Sequence, residues 1–330
     1  MRSLLQLNCN TNSLTDSTET PYIHIYLDLS HLHKWHTESL PKEDLDFLNQ
    51  ATGQKEVAFV LSSTHIDEIL QRGDKKSAIE LAGFLDGLPH TWIRGRSELI
   101  PREVKEAFAA FQKGEASQGV TTPFVGSYRD TLKRLDLEVY MSLEGKNLQI
   151  QVEGLLKAGG GELNRKFRET LEKGVKPWSM VNRGLIEKMG NRRKESVKRF
   201  KDVAIGHLSD GVVRQLSGLT NEDPRYLFIE QLVEHPEWTP SFWLTFFAQH
   251  ELLADTGQEW EASHLPDFNH LMAVPYVNQI TVDRQIRDSA CRALNLAPEE
   301  SSVRNLRHRM STSIGELCRK VNVEVPAGRS

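Results

Sequence analysis

Apolar residues come in two rhythms along this chain. Short, unbroken runs near the start, Tyr-Ile-His-Ile-Tyr-Leu at 22–27 and Val-Ala-Phe-Val-Leu at 57–61, have the length and the β-branched and aromatic content of strands buried on both faces of a sheet. Between and after them the period lengthens. Leu45, Phe47 and Leu48 sit at near-helical spacing, and residues 64–71 and 75–85 carry the stripe of amphipathic helices. Thr91-Trp-Ile-Arg94 predicts a third, short strand. Strand, helix, strand, helix is the order of a parallel sheet, because parallel neighbours need a crossover and the crossover is usually a helix.

From residue 101 to 257 the pattern becomes long, charged and amphipathic, over 102–112, 129–156, 162–173, 180–208, 226–234 and 241–253. This predicts a mostly α-helical inserted subdomain, 101–257, dividing a core into a first half, 21–100, and a second half, 258–330. Asn147-Leu-Gln-Ile-Gln-Val152 alternates strictly and fits a strand as well as a helix, and Gly159-Gly160-Gly161 reads as a flexible joint. The sheet pattern resumes with a helix over 266–274 closed by Pro275, a strand over 276–282, and helices over 284–294 and 303–321. Residues 1–20, rich in Asn, Thr and Ser and without period, are expected to be a flexible leader. The expected fold class is α/β, a parallel sheet between helices.

Composition narrows the picture in two respects. The formal charge of −4 over 330 residues excludes a globally basic protein, so affinity for nucleic acid requires a local patch. Cys9, Cys291 and Cys318 are few, odd in number and far apart, which argues against a disulfide framework and for a reducing compartment. No run approaches a membrane span and the opening is too short for a signal peptide, so a cytoplasmic location is expected.

The candidate chemistry lies in acids at strand and helix ends. Asp28 directly follows the first apolar strand, where the carboxyl edge of an α/β sheet forms its ligand crevice, and Ser30 is placed to hold its carboxylate. Asp267 follows Pro266 at a helix start, and Asp283 follows the strand Gln279-Ile-Thr-Val282. Each has a plainer explanation, as a helix cap for Asp267 and a turn residue for Asp28 and Asp283. Asp67 and Glu68 point roughly 100° apart on a helix, so one of them at most faces such a site. Thr281 could orient a carboxylate or simply favour a strand, and His270, one turn after Asp267, could touch a substrate phosphate or be structural.

Asp28-Leu-Ser30 after the first strand, Ser63-Thr64 followed by Glu68-Ile-Leu70, Asp267 opening a helix that carries Ala273, and Thr281-Val-Asp283 together resemble the PIN-domain nucleases. The resemblance spans residues 21–95 and 262–290. It implies a PIN-like sheet between helices, with Asp28, Glu68, Asp267 and Asp283 binding Mg²⁺ or Mn²⁺ and cutting RNA. The helical insertion would then position the substrate. A toxin, a defence effector and an RNA-processing enzyme all fit this layout. An inhibitory protein partner and self-association stay open, as does a non-catalytic PIN-like scaffold that binds RNA or protein.

Residues 157–201 hold fourteen Lys or Arg against five Glu. Arg165, Lys166, Arg168, Arg192, Arg193, Lys194, Lys198, Arg199 and Lys201 could follow a phosphate backbone, RNA rather than DNA on the resemblance, with Phe167, Trp178 and Phe200 available for stacking. Solvated helices explain the same charges equally well. His31, His33 and His36 lack zinc-site spacing, and the aromatic stretch Phe242, Trp243, Phe246 and Phe247 reads first as core. No Walker loop, GxGxxG, GxSxG or HExxH motif is present.

Overall fold

The computed structural model describes residues 23–126, 147–162, 166, 169, 192–208, 220–254 and 264–324. The leader, Cys9, Arg165, Arg168, Phe167 and Trp178 lie outside the described residues. In chain order the elements are β1 (Ile23–Tyr26), α1 (Leu29–His36), α2 (Lys42–Thr52), β2 (Val57–Leu61), α3 (Ser63–Leu70), α4 (Lys75–Asp86), β3 (His90–Ile93), α5 (Arg96–Lys113) and β4 (Phe124–Val125). They continue with α6 (Leu148–Lys157), α7 (Arg192–Leu208), α8 (Pro224–Gln231), α9 (Pro240–Ala254), α10 (His264–His270), β5 (Gln279–Thr281), α11 (Arg284–Leu294), β6 (Met310–Ser311) and α12 (Ile314–Glu324).

The six strands form one sheet in the order β4-β3-β2-β1-β5-β6, parallel except for β4, which runs antiparallel to β3. Alternation along the strands divides the core into two layers. Ile25, Leu27, Phe59, Leu61 and Trp92 pack under α1 to α4, α6 and α12, whereas Tyr26, Val60, Ile93, Ile280 and Met310 pack under α5 and α7 to α11. Described parts of the expected insertion therefore enter both layers. Helix α6 lies on α4, and α5, α7, α8 and α9 complete the opposite face.

Several expectations change in detail. Asn147–Val152 is helical: Asn147 caps α6, and Leu148, Val152, Leu155 and Leu156 form its buried stripe. The triple glycine is no open joint. Gly159 ends α6 at φ +83°, and a Cβ on Gly161 would fall 2.9 Å from the Leu70 carbonyl oxygen. The expected helix 303–321 is a 3-10 segment, Ser302–Arg309, then β6, then α12. Phe200 is fully buried and stacks on Phe242 with ring centroids 4.6 Å apart, so it belongs to the core and cannot stack on a nucleotide.

Glu103 locks the second layer to the sheet. Its buried carboxylate accepts from the backbone N–H groups of Ser241 and Phe242 in the first turn of α9, and from the Tyr276 hydroxyl just before β5. Burial pushes its pKa up to about 7, against the pull of those hydrogen bonds.

Candidate metal centre

The strand order reverses at β1. The chain leaves β1 toward β2 on one side and returns as β5 on the other, and α1 and α11, which follow β1 and β5, cover opposite faces. Loops that part in this way open a crevice at the carboxyl ends of the strands. Tyr26 pairs with Ile280, so both strands end at one level with Asp28 and Asp283 just beyond them. The buried Thr281 hydroxyl accepts from the Asp28 backbone N–H at 2.9 Å, which ties the two edges together.

Asp28 caps α1. Its Oδ1 accepts from the His31 backbone N–H at 3.0 Å, the His31 ring Nδ1 at 2.9 Å and the Ser30 hydroxyl at 2.7 Å. Burial alone would raise its pKa, but the His31 and Ser30 hydrogen bonds and the neighbouring His31 ring outweigh it and hold the carboxyl well below the usual range. Asp283 caps α11 through Oδ1, which accepts from the Gln285 backbone N–H at 2.7 Å. The capping role foreseen for Asp267 thus falls to Asp28 and Asp283.

Glu68 and Asp267 meet at a buried histidine. Among the described residues, ligand atoms of Glu68, Asp267 and His270 lie within 4.8 Å of one another and form the one group of three able to hold a metal ion. Glu68 Oε1 is 3.3 Å from His270 Nε2, and Glu68 Oε2 is buried with no hydrogen-bond partner among the described residues. A buried carboxylate oxygen without a donor is costly, so these residues fit a cation that would satisfy it. Asp67 is exposed and lies outside the group, and the half-buried His31, His33 and His36 lie outside it too.

Asp267 is affected by burial and by the other three carboxylates. Burial pushes the Asp267 pKa up to about 7, and Glu68, Asp283 and Asp28 push the same way, opposed by His270. Burial would lower the His270 pKa, but Glu68, Asp28 and Asp267 prevail and raise it. Two cations border the group. Burial lowers the Arg72 pKa against the pull of Glu68, and its guanidinium lies 3.3 Å from His33; Arg96 donates to Asn269, the neighbour of His270, at 2.9 Å.

Beneath the group runs a buried polar chain. The Tyr26 hydroxyl lies 2.5 Å from His270 Nδ1 and 2.7 Å from the Ser62 hydroxyl. The Ser62 backbone N–H donates to His65 Nδ1 at 3.0 Å, and His65 Nε2 donates to the Leu27 carbonyl at 2.8 Å, which fixes a neutral tautomer. The sequence reading missed Tyr26, Ser62 and His65, because a Tyr in an apolar strand and a His in a helix's first turn look like ordinary core and cap residues.

Burial, with His270 nearby, pushes the His65 pKa down from 6.5 to about 4. The unfolded chain therefore binds a proton between those values that the folded chain does not, and stability falls as pH drops through that window. The expected loss is on the order of 3 kcal/mol. Urea midpoints at pH 7.5 and 4.5 check it: wild type should lose more stability on acidification than His65→Gln.

The basic segment is only partly in view. Lys194 and Lys198 are exposed on α7, Arg199 is half-buried, Lys201 pairs with Glu230, and the exposed Lys166 pairs with Glu162 at 2.8 Å. Arg192 and Arg193 open α7, but their side chains lie outside the description. Among the described residues no helix is long and apolar enough to cross a membrane. No protein-family model, no curated protein and no solved structure matches the chain.

Proposed function

We propose that this protein is a divalent-metal-dependent endonuclease that hydrolyses phosphodiester bonds in RNA, built on a PIN-like core and acting in the cytoplasm. The observation that carries the reading is the half-buried group of Glu68, Asp267 and His270, whose ligand atoms lie within 4.8 Å of one another, at the sheet edge where Asp28 and Asp283 follow β1 and β5. Like charges gathered in a half-buried crevice destabilise a fold, and a divalent cation among them reverses the sign of that energy.

Glu68, Asp267 and His270 would hold the ion, with Asp28 and Asp283 presenting carboxylates from the facing strand ends. Mg²⁺ or Mn²⁺ bound there would supply Lewis acidity toward water and the phosphoryl oxygens. Ser30 and His31 keep the Asp28 carboxylate ionised and fixed in direction. Arg72 and Arg96 are placed to take phosphates of the strand, and the exposed lysines of α7 extend the cationic surface. The choice of RNA follows the resemblance to PIN-domain nucleases.

The full chain incubated with single-stranded RNA and Mn²⁺ should cut it internally, leaving 5′-phosphate and 3′-hydroxyl ends, and EDTA should abolish the cleavage. A second reading, a non-catalytic RNA-binding scaffold, draws on the capping bonds that occupy Oδ1 of both Asp28 and Asp283. RNA binding without cleavage in any divalent ion would favour it. On either reading, Lys194→Glu with Lys198→Glu should weaken RNA binding several-fold and flatten its salt dependence, as measured by fluorescence anisotropy.

A further inference from the structure

We propose that the site selects borderline transition ions such as Co²⁺ and Zn²⁺ over Mg²⁺, because His270 is a nitrogen ligand whose Nδ1 proton the Tyr26 oxygen accepts when an ion takes Nε2. This rests on the metal-site reading above and replaces its Mg²⁺ with a narrower class. Mg²⁺ prefers an oxygen shell and keeps most of its waters, whereas imidazole suits Zn²⁺, Fe²⁺ and Ni²⁺. A site in which one of three clustered donors is an imidazole therefore favours the second group.

The support follows from hydrogen-bond polarity. His270 is 2% exposed, held between Tyr26 at Nδ1 and Glu68 at Nε2. For Nε2 to offer a lone pair, the ring proton must sit on Nδ1 and be donated to the Tyr26 oxygen. The Tyr26 hydroxyl then donates to Ser62 Oγ at 2.7 Å, and the Ser62 hydroxyl shares His65 Nδ1, at 3.3 Å, with its own backbone N–H at 3.0 Å. His65 Nε2–H ends the chain on the Leu27 carbonyl. In the ion-bound form every donor then finds an acceptor and Nε2 keeps a lone pair for the ion, whereas without an ion Glu68 Oε1, an acceptor only, holds a proton on Nε2 at 3.3 Å.

Tyr26 is thus a positioning residue, acting on the ion only through His270. Its hydroxyl lies in a sealed layer, and Tyr26→Phe removes one oxygen without changing the ring that fills the core. Partners that orient a metal-bound imidazole contribute about 10- to 100-fold in metal affinity.

The test is calorimetric titration of the full chain with MgCl₂, MnCl₂, CoCl₂ and ZnCl₂, for wild type, Tyr26→Phe and His270→Gln. Wild type should bind Co²⁺ and Zn²⁺ at least about tenfold more tightly than Mg²⁺. Tyr26→Phe should lose about tenfold for Co²⁺ and Zn²⁺ with Mg²⁺ nearly unchanged, and His270→Gln should flatten the series. Ser62→Ala, which breaks the chain one link further on, should repeat the Tyr26→Phe pattern at smaller size and carries the test if the first variant does not fold. In the Zn²⁺ form, nitrogen-15 spectra of His270 should show a protonated Nδ1 and a metal-bound Nε2. Mg²⁺ binding as tightly as Zn²⁺ and Co²⁺, an order unchanged in Tyr26→Phe and His270→Gln, or a protonated Nε2 in the Zn²⁺ form would overturn this inference and leave the metal site standing. Wild type that binds none of the four ions would overturn both.

Discussion

Asp267→Asn is expected to abolish RNA cleavage and, in EDTA, to raise the melting temperature of the protein. The two effects share one cause. The folded pKa of Asp267, about 7, lies above its ordinary 3.8, so its contribution to stability is complete below pH 3.8 and is lost as pH rises through 7. At pH 8 the ionised side chain burdens the metal-free fold, on the order of 2 kcal/mol after allowance for its partial exposure. Asn removes that charge at nearly constant shape. It also removes an ion ligand, and several kcal/mol of lost transition-state stabilisation corresponds to roughly a 10³-fold fall in rate. Cleavage rates in Mn²⁺ and melting curves in EDTA at pH 8 check both halves. A variant that is inactive but less stable than wild type would mean that Asp267 supports the fold rather than the chemistry.

Phe200→Ala is expected to cost about 3–5 kcal/mol of stability. Phe200 is fully buried, lies face to face with Phe242 at 4.6 Å, and meets Phe246 and Phe247 at 5.4 and 5.2 Å. Its removal leaves a cavity where α7 crosses α9. Urea unfolding measures the loss. RNA affinity per folded molecule should not change, because the ring has no surface to offer a base. A small stability loss together with weakened RNA binding would return Phe200 to the nucleic-acid surface.

The sheet was legible wherever a strand was long enough to show its run. Residues 57–61 are β2 as read, and β1 and β3 differ from their expected bounds by a residue or so. The strand expected over 276–282 shortens to Gln279–Thr281, because Tyr276 and Val277 still bond back to Ala273 in the preceding turn. β4 and β6, two residues each, carry no period and exist only through their partners. The alternation at 147–152 misled because Ile150, 45% exposed, is an apolar residue on the polar side of a helix.

The acids proposed for the site stand out for a similar reason. Asp28 and Asp283 follow apolar strands and Asp267 follows proline in the first turn of α10, all of them local signals. The chain from His65 through Ser62 and Tyr26 to His270 was not. It joins residues 244 apart in sequence at the Tyr26–His270 bond alone, and nothing local marks a tyrosine whose hydroxyl meets a histidine from another element. From the sequence His270 reads as a structural residue or as one that touches substrate phosphate. Its burial and its contact with Glu68 make it a candidate ion ligand instead.

Anomalous diffraction from crystals of the full chain soaked in Mn²⁺ decides whether these side chains form a divalent-metal site. An anomalous peak is expected among Glu68, Asp267 and His270, within ligand distance of at least three of their atoms, and should disappear in Asp267→Asn. Crystals that show no peak there while Mn²⁺ is in excess, or a peak only at surface carboxylates, would contradict the metal-site reading.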